Sequence, residues 1–118
     1  MKESILRIKS LAFAIRNVDL SQRLIDERKQ YVLSKQILKS GTSIGACVRE
    51  AGNAESKADM IHKFSIALKE ADETTYWLEL LYETHYVDEP LYQDMLSDCI
   101  ELMRILKASI LTLKNSFK

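Results

Sequence analysis

Side chains able to bind a metal or act as nucleophiles are scarce in this chain, and their spacing decides what they can do. The histidines are His62 and His85, and the cysteines are Cys47 and Cys99. A di-iron centre in a helical bundle needs Glu on two helices and a Glu-x-x-His pair on each of the other two. Here Asp59-Met60-Ile61-His62 offers Asp in place of Glu, and the residue three before His85 is Tyr82. A structural zinc site needs paired ligands, which neither isolated cysteine has. Gly41-x-x-x-Gly45 lacks the Gly-Lys-Ser/Thr of a phosphate loop and follows no strand pattern, so it reads as a packing motif. Ser40 and Ser43 fall within a helical pattern, not on a strained turn, and no local pattern ties a histidine to either. The expectation is a non-enzyme with no catalytic residue, metal or cofactor. Cys47 and Cys99 are then reduced core thiols of a cytosolic protein.

What remains is charge. Lys2, Lys9, Arg16 and Arg23 recur every seven residues and form one ridge along a helix, while Lys35, Lys39 and Arg49 form a second. Such rows match the phosphate-tracking footprint of a nucleic-acid binder. They equally match solvated faces that keep a bundle in solution, or surfaces that meet the acidic half of another copy. The net charge is zero, but residues 1–57 hold 11 Lys/Arg against 6 Asp/Glu, a balance of +5, and residues 58–118 hold 6 against 11, a balance of −5. Glu50 and Glu73 lie beside apolar stripes, where each either accepts hydrogen bonds from a neighbouring helix or protomer or stays solvated.

The elements that position these groups follow from hydrophobic spacing. With 118 residues, 47% hydrophobic and 29% charged, the chain is one globular domain by length and composition. One Pro and three Gly leave little turn punctuation, which favours long helices. Apolar residues three and four apart define four stripes. The first is Ile8, Leu11, Ile15, Val18, Gln22, Ile25, and the second is Leu33, Ile37, Ser40, Ile44, Cys47, Ala51, Ala54. The third is Met60, Phe64, Ala67, Ala71, Thr74, Leu78, Leu81, His85, and the fourth is Tyr92, Leu96, Cys99, Met103, Leu106, Ile110, Leu113, Phe117. The pattern predicts an all-α, antiparallel up-down four-helix bundle with helices near 4–26, 30–54, 57–85 and 89–116. Ser56 with Asp59 forms a capping-box variant, and Asp88-Glu89-Pro90 supplies an N-cap, an acid and a first-turn proline. The first break lacks Gly or Pro; a one-residue slip between stripes, about 100° of rotation, places it near 26–30.

The small residues of the second stripe predict close packing for that helix, with Gly41 and Gly45 at a close backbone contact. Apolar residues off the stripes are a surplus, and Phe13, Leu20, Ile66, Trp77 and Leu80 are the candidates for a homo-oligomer interface; the alternative is a wide core-facing stripe. No run of ~18 apolar residues occurs, and Met1-Lys2-Glu3-Ser4-Ile5 lacks the apolar stretch of a signal peptide. A cytoplasmic protein without a membrane segment is expected.

The stretch Ser34-Lys35-Gln36-Ile37-Leu38-Lys39-Ser40-Gly41-Thr42-Ser43-Ile44-Gly45-Ala46, followed by Arg49-Glu50-Ala51, resembles the signature of the bacterial 23S rRNA intervening-sequence proteins, the four helix bundle protein family. Lys63-Phe64-Ser65-Ile66-Ala67-Leu68-Lys69-Glu70-Ala71, with Glu73-Thr74 and Trp77-Leu78, resembles the family's second block. Ser43, Glu50 and Glu73 are polar positions within these blocks, and Cys47 stands where the family usually has Asn. The resemblance implies a bundle that assembles as a ring, commonly a pentamer, whose genes were noticed inside insertions of ribosomal RNA genes. A similar bundle, the accessory variability protein of diversity-generating retroelements, is a basic pentamer that binds nucleic acid and a reverse transcriptase. The function expected is therefore that of a non-catalytic, oligomeric, RNA-associated bundle. The alternative is a protein-interaction scaffold or accessory subunit that binds no nucleic acid.

Overall fold

Helix α1 (Lys2–Arg28) stops without glycine or proline because Lys29 turns into the left-handed region, at φ 55°. The Lys29 and Gln30 amides then return to the carbonyls of Ile25 and Leu24, at 3.1 and 3.0 Å. The side-chain oxygen of Gln30 caps α2 (Tyr31–Gly52), accepting from the amides of Val32 and Leu33 at 3.2 and 3.1 Å. Ser56 opens α3 (Lys57–Glu83) by accepting from the Asp59 amide at 3.0 Å. That helix closes in a Schellman turn: His85 sits at φ 67°, the Tyr86 amide reaches the Leu81 carbonyl at 2.8 Å and the His85 amide reaches Tyr82 at 3.0 Å. Asp88 caps α4 (Glu89–Asn115) through the Leu91 amide at 2.9 Å, with Pro90 in the first turn, where a missing N–H costs nothing. The expected ends at 54 and 85 thus fall beyond the helices, and His85 is an exposed turn residue instead of the last member of a core stripe.

The computed structural model describes residues 2–116, with side chains from Ile5 onward. It shows four helices and no strand among those residues, in an up-down bundle measuring 51 × 22 × 19 Å. Each helix packs on its neighbours in the chain, and α4 closes the square against α1 along the thinnest of the four seams. The core takes Ile37, Ile44, Val48 and Ala51 from α2 and Phe64, Ala67, Ala71, Leu78 and Leu81 from α3. From α4 it takes Met95, Cys99, Leu102 and Leu106, a seam slightly rotated from the expected one, so that Met103, Ile110 and Leu113 only flank it. Phe117 lies outside the described residues.

Helix α1 is turned over relative to expectation. Ile8, Leu11, Ile15 and Val18 were expected inward and are 69, 53, 54 and 48% exposed. Phe13 and Leu20, expected at an interface between copies, are core residues at 1 and 4% exposure and have no surface to offer a partner. The inward face of α1 is Leu6, Ser10, Phe13, Asn17, Leu20 and Leu24, with Ser21 beside it. It carries fewer apolar residues than the outer stripe, but they are the ones that fit.

The reason is size. The Ser21 and Ser34 hydroxyls meet at 2.7 Å, and Ser34 also donates to the Ser21 carbonyl at 2.9 Å. The Asn17 amide donates to the Phe13 carbonyl at 2.8 Å, while its Oδ1 has no partner among the described residues. A Cβ at Gly41 would fall on the Asn17 amide, and one at Gly45 would lie 3.4 Å from the Ser10 carbonyl oxygen. Two helices with such small contact residues approach more closely than Leu or Ile would allow, and Ser21 and Ser34 find each other across the seam. On the next seam Thr74 donates to Ser40 at 3.0 Å.

Candidate nucleic-acid interface

Two cations of the basic ridge of α1, Lys9 and Arg16, face α4 and are engaged there. Lys9 pairs with Glu101 at 2.9 Å, and Arg16 reaches Asp94 at 2.8 Å and Asp98 at 2.6 Å. Arg23 pairs within its own helix, with Glu27 at 3.7 Å. The side chain of Lys2 lies outside the described residues. Burial strips some hydration from the Arg16 guanidinium, yet hydrogen bonds to Asp98 and Asp94 outweigh that cost and raise its pKa above the ordinary arginine value. Hydrogen bonding to Lys9 pulls the Glu101 carboxyl below its usual range. These contacts take up only a small part of the opposite charge of the two halves: α4 carries four Asp/Glu against three Lys/Arg, and the larger acidic excess, six against three, lies on α3. Exposed pairs of this kind are worth ~0–1 kcal/mol each, so the ridge aligns the thin seam more than it stabilises it.

The second row stays open. Lys35, Lys39 and Arg49 are exposed along α2 and make no ion pair among the described residues. Arg7, on the flank of α1 that faces α2, is in the same condition. It is out of phase with the seven-residue ridge, which is why spacing alone passes over it; its place beside the α2-facing residues Ser10 and Ala14 is the signal that finds it.

The polar motif positions are used within the monomer. The Ser43 hydroxyl donates to the Lys39 carbonyl at 2.6 Å, one turn back on its own helix. Glu50 accepts from Lys63 at 3.0 Å and ties α2 to α3, and Glu73 accepts from the Trp77 indole at 3.1 Å. The Glu50 contact holds the Lys63 ammonium above its ordinary pKa. Ile66, Trp77 and Leu80 are half-buried, with Trp77 against the core and Tyr76 edge-on to it at 5.0 Å. Cys47 is half-buried on the α2–α3 side, and burial with Glu50 and Glu70 nearby raises its thiol pKa. Cys99 is buried, donates to the Ala71 carbonyl at 3.2 Å and is pushed up to about 12, mainly by burial. Among the described residues no three His, Cys, Asp or Glu side chains gather, and no helix is long and apolar enough to cross a membrane.

A concavity of about 490 Å³ lies at one end of the bundle, where Arg23 and Arg28 share the walls with Glu27, Asp88 and Glu89. The Arg28 guanidinium stacks 4.6 Å from the Tyr86 ring and donates to the His85 carbonyl at 3.0 Å. Its charges are balanced from within. The described residues that line the α1–α2 hollow, by contrast, include Arg7 and Arg49 and no carboxylate.

A protein of unknown function from the S23 ribosomal protein family of Bacteroides thetaiotaomicron has a closely similar crystal structure. The two share 51% identity and a TM-score of 0.92 over 93% of this chain and 98% of that one. Among curated proteins none matches. The profile described as 23S rRNA-intervening sequence protein fits residues 2–108, nearly the whole chain and both motif blocks. The chain therefore belongs to the 23S rRNA-intervening sequence protein family.

Proposed function

We propose that this chain works without catalysis in the cytoplasm, as a self-associating bundle that holds structured RNA along its α1–α2 flank. The observation that carries the reading is the row Lys35, Lys39 and Arg49, exposed and without carboxylate partners among the described residues, while Lys9 and Arg16 of the α1 ridge are neutralised by α4 and Arg23 by Glu27. The family description, which names a ribosomal RNA insertion, points to the same class of partner.

Self-association rests on the outer stripe of α1. Ile8, Leu11, Ile15 and Val18 repeat at heptad spacing on the side away from the core. Burying four such side chains, each about half exposed, is worth roughly 4 kcal/mol. That is enough to direct a contact but too little to fix a stable assembly alone, given the cost of association; Ile66, Trp77 and Leu80, on α3 diagonally across the bundle from α1, are then the second surface for a ring, five copies being the number the resemblance implies.

Binding of structured RNA across a salt series tests the RNA reading. Three to four phosphate contacts give a log–log slope of about −3. Absence of binding at about 50 mM salt overturns it, as does a protein partner that survives nuclease treatment while RNA does not bind. Light scattering that returns a 13.6 kDa particle at micromolar concentration overturns the assembly.

A further inference from the structure

Arg7 on α1 and Arg49 on α2 line the same concavity of about 310 Å³, whose floor is Ser10, Ala14, Gly45 and Ala46. They also share a second, adjoining hollow with Ile8 and Leu11. No carboxylate lines either hollow, and neither guanidinium makes an ion pair or side-chain hydrogen bond among the described residues. The floor is small for a reason already given: α1 and α2 touch here through Gly45 and the Ser10 carbonyl. Among the described residues, a ligand entering between the arginines meets the small floor, with Leu11 and Thr42 at its sides, and no opposing charge.

We propose that the Arg7–Arg49 groove is a phosphate-binding site. A guanidinium presents a planar fork of donors that pairs bidentately with an oxyanion. Two forks on opposite walls suit a tetrahedral phosphate, which offers oxygens in several directions; a carboxylate offers its acceptor sites in one plane only. The phosphate is a backbone diester of RNA or a free phosphate, and the two sources are separable. The RNA arm rests on the function proposed above.

Phosphorus NMR of inorganic phosphate added to the full-length protein, at ionic strength matched with chloride, reads the groove alone. The wild type broadens the phosphate line; Arg7→Ala/Arg49→Ala broadens it less than half as much, and a Lys69→Ala/Lys107→Ala variant matches the wild type. Arg7→Lys/Arg49→Lys keeps the charge but loses the fork, and it too falls below the wild type. Equal broadening by the wild type and the double alanine variant overturns the proposal. With structured RNA the double alanine variant has a salt slope shallower by about 1.5. RNA binding that survives the double substitution with its slope intact overturns the RNA arm of the groove and leaves the RNA-binding function standing. Phosphate binding by a wild type that binds no RNA supports the groove and overturns that function. A double variant that keeps phosphate broadening but loses oligomeric mass overturns the proposal in favour of a carboxylate from a second copy.

Discussion

The inverted orientation of α1 makes a sharp pair of substitutions. Phe13→Ala removes a ring that is 1% exposed in the centre of the bundle, and Ile15→Ala trims a side chain that is 54% exposed on the opposite face. Emptying a Phe site in a close-packed core costs about 3–5 kcal/mol, the lost transfer energy plus the residual cavity. A domain of this kind has about 5–15 kcal/mol in total, so Phe13→Ala removes about a fifth of its stability or more. At a urea m-value of about 2 kcal/mol per molar the midpoint falls by about 2 M. Ile15→Ala, away from any cavity, changes the monomer by less than about 0.5 kcal/mol. Its effect belongs to assembly and therefore grows with protein concentration, as mass action requires. The assay is urea unfolding followed by helical circular dichroism at two concentrations, one low enough that light scattering reports monomer. Equal losses from both variants at the low concentration would refute the orientation of α1, and with it the assignment of the outer stripe to self-association.

Three further outcomes follow from local geometry. Replacing Lys29 or His85 with Gly relieves a left-handed backbone position that costs L side chains about 1–2 kcal/mol, less glycine's entropic penalty of about 0.5–1 kcal/mol; each variant raises stability by about 0.5–1 kcal/mol in chemical denaturation, and a loss at both sites contradicts the turn assignments. Gly41→Ala pushes a methyl into the Asn17 amide and costs about 1–3 kcal/mol, whereas in an Asn17→Ala background it becomes neutral or favourable through helix propensity; a double-mutant cycle with no coupling would refute the contact. The Glu101 carboxyl, held below its ordinary value of 4.5 first by its hydrogen bond to Lys9, contributes stability above that pH and loses it as pH falls through the folded value. The difference in unfolding free energy between wild type and Glu101→Gln is therefore constant above about pH 5.5 and shrinks below about 4.5; a difference that widens on acidification contradicts the ion pair.

Helices α2 and α3 are legible in the sequence because their inward residues are either apolar or small and stand at unbroken helical spacing; Ile37, Ile44, Phe64 and Leu78 needed no further information. Ser56 and Asp88 announce their helix starts by the chemistry of their side chains. The α1–α2 turn was located only through a phase slip, since Lys29 takes a conformation that glycine would have signalled. Helix α1 defeats apolar periodicity because two stripes compete there, and the greasier one is outside. What decides between them is the space between backbones, a property of α1 and α2 together that no single-helix pattern contains. The charge ridge was visible as a ridge, but the acidic partners of Lys9 and Arg16 lie 78 to 92 residues further along the chain. Arg7 gains its meaning only once Arg49 stands across the seam from it.

A rod that is oily on opposite sides has two ways to lie down, and greasiness alone cannot choose between them. In this protein the choice is made by bulk: only the side notched with Ser10, Asn17 and Ser21 can nestle against Gly41 and Gly45. Orientation and adhesion are thereby assigned to different residues. The outward side is free to drift, and with it the identity or number of the molecules that stick there, while the notched side keeps the architecture unchanged.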